Sequence, residues 1–107
     1  MLFLFLLHLL FFIYSIFYKD LSKDISSVKI FPNPANEVIN LSFELKQSDD
    51  MQIKILDLAG RECYQQYLGQ ISGHQAHQID ISALKKGSYV LILDGQRNHL
   101  VKSVNVN

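Results

Sequence analysis

The chain has 107 residues, enough for one domain and too few for two ordinary ones, and its 10 Lys+Arg against 10 Asp+Glu leave a formal charge of +0. With no excess of basic groups to neutralise phosphates, charge argues against nucleic acid as a partner. The single cysteine, Cys63, makes neither an intramolecular disulfide nor a thiolate metal site, so the fold must hold by packing alone.

Leu2 to Tyr18 reads LFLFLLHLLFFIYSIFY, apolar all round with one histidine and one serine. As a helix it would reach roughly 26 Å against a hydrocarbon core of about 30 Å. No Lys or Arg precedes it and no small-x-small site follows it, both of which a cleaved signal peptide would show. The expectation is an N-terminal apolar helix over residues 1–18, as signal peptide, signal-anchor or remnant of a longer frame, through which the chain could meet a membrane. Residues 19–27 are polar and mixed in charge, and read as a linker.

From Val28 onward short alternating segments are broken by turn residues, the pattern of an all-β protein. Val28 to Phe31 is the first predicted strand. Pro32 and Pro34 cannot donate to a ladder, so they end it and set a bend into the next. Glu37 to Leu45 alternates with Ile39, Leu41, Phe43 and Leu45 on one face, and Met51, Ile53 and Ile55 repeat the pattern after the predicted turn QSDD. In DLAG, Asp57 can accept main-chain hydrogen bonds and Gly60 can take positive φ. Arg61 to Leu68 and His74 to Ile81 are the fourth and fifth strands, parted by GQISG.

DISALKKG is a corner between strands, with Asp80 and Ser82 suited to cap a short turn of helix, Leu84 turned to the core and Gly87 ending the turn. Ser88 to Leu93 is apolar on both faces, as a central strand would be. DGQRN carries the Asp-Gly hairpin signal, and His99 to Val106 closes the domain as an edge or pairing strand. The predicted fold is all-β, a small immunoglobulin-like antiparallel β-sandwich of about seven strands over residues 28–107.

KIFPNPANEVINLSF, IKILDLAGRE, HQIDISALKKGSYVLIL and the end LVKSVNV, in that order, resemble the type A C-terminal sorting domain of the type IX secretion system. Position by position, Pro32, Asn33, Pro34 and Ala35 match its opening motif, Asp57, Gly60 and Arg61 its middle turn, and Leu84, Gly87 and Tyr89 its corner. Lys102, Val104 and Val106 match its basic and aliphatic end. The resemblance implies a β-sandwich that catalyses nothing, needs no cofactor and acts as a signal. It implies as partners an outer-membrane translocon that exports the protein from the periplasm toward the cell surface, and a sortase-like protease that removes the domain. In that family the domain follows a cargo, whereas about 27 residues precede it here.

The residues admit other readings. His74 and His77 as metal ligands are disfavoured because positions three apart on a strand face opposite sides. Cys63 as a nucleophile lacks a histidine and an orienting carboxylate, and is expected to be a buried small hydrophobe. Asp49, Asp50 and Asp57 are explained by turn chemistry without calcium. A second function class, a membrane-tethered immunoglobulin-like binding or adhesion module, predicts a domain that stays uncleaved.

Overall fold

The computed structural model describes Leu6 and residues 24–107; apart from Leu6, the expected helix over residues 1–18 lies outside the described residues. Five strands form one antiparallel sheet: β1 (Ile25–Phe31), β2 (Val38–Asp57), β3 (Glu62–Asp80), β4 (Gly87–Asp94) and β5 (His99–Val106). The order is β1-β2-β4-β5, with β3 also paired to β2.

Five strands stand where seven were expected, because two predicted turns lie inside strands. β2 runs through QSDD and β3 runs through GQISG as a pair of bulged bends. The register shifts between Leu45 and Asp49, and Gly69 and Gly73 take positive φ on the facing strand. Such bulges bend a strand without ending it. The N-terminal half of β2 pairs with β1 and the C-terminal half of β3, and its C-terminal half pairs with β4 and the N-terminal half of β3.

The inward face survives the bend. Ile39, Leu41, Phe43 and Leu45 before it and Met51, Ile53 and Ile55 after it are all buried in one cluster with Leu91, Leu93, Val104 and Val106. Each such side chain contributes about 1.5–3 kcal/mol on leaving water, so this shared core holds the halves together. β1 begins at Ile25, itself buried, and so takes three residues from the expected linker. β4 is central, as its sequence implied: Tyr89, Leu91 and Leu93 join the core, and Ile92 on the opposite face is buried beside its partner Val101.

The bend is fastened by a buried carboxylate. Asp49 holds an inward position of β2, 2% exposed. Its Oδ1 accepts from the main-chain nitrogens of Asp50 (2.8 Å) and Gln96 (3.0 Å). Its Oδ2 accepts from Arg97 N (3.1 Å), Asn98 N (3.1 Å) and Asn98 Nδ2 (3.0 Å). Asn98 Oδ1 in turn accepts from Asp24 N (3.3 Å). A Cβ on Gly95 would overlap Met51 Sδ and Asp49 Oδ2, so only glycine fits where the β4–β5 turn approaches the bend.

Candidate functional site

The bent hairpin brings most of the sequence-predicted positions to one end of the molecule. β2 starts and finishes there, β4 starts there and β5 finishes there, since Gly87 pairs with Val106, Tyr89 with Asp57 and Ala35 with Val106. The Asp49 fastening is at the other end.

Pro32, Asn33, Pro34 and Ala35 link β1 to β2, and both Phe31-Pro32 and Asn33-Pro34 are cis. The segment lies along the last residues of β5. Asn33 Oδ1 accepts from Asn105 N (3.1 Å), Ala35 N donates to Asn105 O (2.9 Å) and Ala35 O accepts from Asn107 N (2.8 Å). Ala35 is fully buried in this seam. The opening motif and the aliphatic end, 72 positions apart between Asn33 and Asn105, are therefore one structural unit.

Backbone groups alternate sides along a strand. With Asn105 and Asn107 turned to the Pro-Asn-Pro-Ala segment, Val101 and Ser103 face the outer edge of β5, beyond which no further strand pairs among the described residues. Lys102 is half-buried, while Val104 and Val106 are core residues. Of the predicted end motif, Lys102 alone offers a side chain to a partner.

In the middle turn, Asp57 Oδ1 accepts from Ala59 N and Arg61 N, both at 2.9 Å, and Gly60 takes φ 86°. Arg61 Nε donates to Asp57 Oδ2 at 2.8 Å while its side chain stays 82% exposed. Burial pushes the Asp57 carboxyl up, but the hydrogen bonds and charge of Arg61 and the Ala59 amide outweigh it, and it lies below the usual carboxylate value. The corner opposite is a turn rather than a turn of helix: Leu84 N donates to Ile81 O (2.9 Å) and Asp80 Oδ1 caps Ser82 N (2.9 Å). Tyr89 donates its hydroxyl to Lys85 O, and Gly87 opens β4 with φ 154°. Leu84 packs half-buried against the core. An open groove joins turn and corner, lined by Asp57, Arg61, Glu62, Leu84, Lys85 and Tyr89.

Cys63 also lines this groove and is exposed, contrary to the expectation of burial. The reason is face: Tyr64 and Leu68 pack on the core here, so Cys63 points outward. His74 Nδ1 meets Glu44 Oε1 at 3.0 Å, and the His77 ring stacks on Phe43 with centroids 6.2 Å apart. Burial lowers the His77 pKa. Among the described residues no three His, Cys, Asp or Glu side chains converge as a metal site would require. Asp49, Gly95 and Asn98 were missed as structural determinants; the signal for Asp49 was its place on the inward parity of β2.

Residues 29–107 match the family model described as "Secretion system C-terminal sorting domain". No curated protein matches the chain.

Proposed function

We propose, because the chain belongs to the family of secretion system C-terminal sorting domains, that an outer-membrane type IX translocon recognises the motif-bearing end of this domain during export. The family's domains are non-catalytic sorting signals, and a sorting and export role follows from membership. In this reading a sortase-like protease then removes the domain, the linker ahead of β1 marking its boundary and residues 1–18 serving entry to the periplasm. The bent sheet serves as a sandwich of the immunoglobulin kind, one folded hairpin supplying both layers.

The observation that carries the reading is the seam between Asn33, Ala35 and Asn105. It makes the opening motif and the final strand a single surface, with the exposed Arg61 turn at the same end. A rigid surface loses less entropy when a partner binds it. Lys102 and the outer edge of β5 offer charge and main-chain groups beside it, the arrangement that strand addition uses.

The test is a reporter with a general secretory signal peptide in front and residues 24–107 behind, expressed with and without a working type IX translocon. Translocon-dependent release with the tail removed is the expected result. Retention of the folded fusion in the periplasm of both strains overturns the reading, and favours an uncleaved binding module.

A further inference from the structure

Among the described residues some strand edges are unpaired, and they are not protected alike. β1 carries a bulge, Lys29 and a terminal proline, and the last residues of β5 are covered by the Pro-Asn-Pro-Ala segment. These are the usual devices against edge-to-edge association. β3 pairs only with β2 among the described residues, and from Cys63 to Ile79 it contains no Asp, Glu, Lys, Arg or Pro. Its bulges at Gly69 and Gly73 leave residues 74–80 as an uninterrupted, regular edge.

Ile81 N donates to Glu37 O (2.8 Å), so Ile81 faces β2 and alternation turns the main-chain groups of Asp80, Gln78, Ala76 and His74 to the open side. These four residues are exposed. The geometry points to a second copy of this chain as the occupant: two β3 edges pair antiparallel about a two-fold axis at His77, joining two sheets into one. That register sets outward groups against outward groups, His74 opposite Asp80 of the other copy and Ala76 opposite Gln78. It is self-complementary, as a two-fold contact must be.

Charge favours it over a register centred on the whole strand, which would oppose Glu62 to Asp80. Here the carboxylate of Asp80 meets a histidine already beside Glu44 on the same face. At the axis stands His77, whose pKa burial lowers and whose Nε2 lies 3.1 Å from Gln75 Oε1, so the register sets no pair of acidic side chains directly opposite each other. The contact is small, and the dimer accordingly weak and concentration-dependent. It uses an edge different from that of β5, so it stands apart from the sorting reading.

The experiment is sedimentation of the full chain in mild detergent from low micromolar to near-millimolar concentration, with amide exchange at His74, Ala76 and Gln78. Expected is a reversible dimer with concentration-dependent protection of those three amides. Ala76→Pro removes an outward N–H without touching the β2 ladder, and should weaken the dimer at least about tenfold. His74→Lys should tighten it and His74→Asp weaken it, and both replace an exposed side chain that the fold does not need. A monomer at every concentration overturns the proposal. So does association that is unchanged in Ala76→Pro and in both His74 variants, which would assign it to another surface.

Discussion

Asp49 and Asn98 are the buried polar residues of the described domain, and they bind each other across 49 positions of chain, Asn98 N and Nδ2 both donating to Asp49 Oδ2. The carboxylate thereby ties the bend of β2 to the turn between β4 and β5. Asp49→Ala should cost about 3 kcal/mol, since it leaves the buried amides of the turn without an acceptor. Asp49→Asn, which keeps one acceptor oxygen, should cost less. The denaturant midpoints of the two variants check the order.

Acid should release this fastening. Burial pushes the Asp49 carboxyl up, yet the hydrogen bonds from Arg97, Asn98, Gln96 and Asp50 outweigh it and hold its pKa below the usual carboxylate value. A carboxyl depressed in the folded state contributes stability that is present above its unfolded pKa of about 4 and is lost as pH falls through the folded value. Stability should therefore be level near neutrality and decline below about pH 4, with a shallower acid limb in Asp49→Asn. A pH series of melting temperatures for both proteins would show it.

Ala35 is fully buried at the seam with β5. Ala35→Leu should overfill it, costing about 1–3 kcal/mol, and loosen the neighbouring hydrogen bonds. Faster amide exchange at Asn105 and Asn107, with the β2–β3 ladder unchanged, is the expected signature.

The Arg61 side chain separates folding from recognition. It is 82% exposed, so Arg61→Ala should leave the denaturant midpoint nearly unchanged. Asp57→Ala, which removes the acceptor for the amides of Ala59 and Arg61, should lower stability by about 1 kcal/mol. If the turn is part of the recognised surface, both variants export the reporter less well. Normal export by Arg61→Ala would remove that side chain from the surface.

Gly95→Ala should be destabilising by about 1–3 kcal/mol, because its Cβ has no room beside Met51 and Asp49. A thermal melt against wild type measures it.

The strands were legible where alternation was clean. Ile39 to Leu45 and Met51 to Ile55 both show the inward face, and the step of six from Leu45 to Met51 preserves its parity. That even spacing was the sign that β2 continues, but QSDD has the composition of a turn as well as of a polar bulge. Asp57 and Gly60 behaved as their turn chemistry required, because a tight turn depends on neighbours a few residues away. Cys63 did not, since its apolar character says nothing of which face the Gly69–Gly73 bends assign to it. The seam of Asn33 with Asn105 could not be read locally, being set by the register of strands far apart in the chain.

The same seam fixes an order of events for any N-to-C delivery of the chain. The Pro-Asn-Pro-Ala segment emerges early, yet its hydrogen-bond partners at Asn105 and Asn107 emerge 72 positions later. Closing so long a loop is slow compared with forming the β2–β3 hairpin beside it. The finished surface thus reports that everything between has arrived and folded, and a chain cut short before β5 presents the opening motif without its other half.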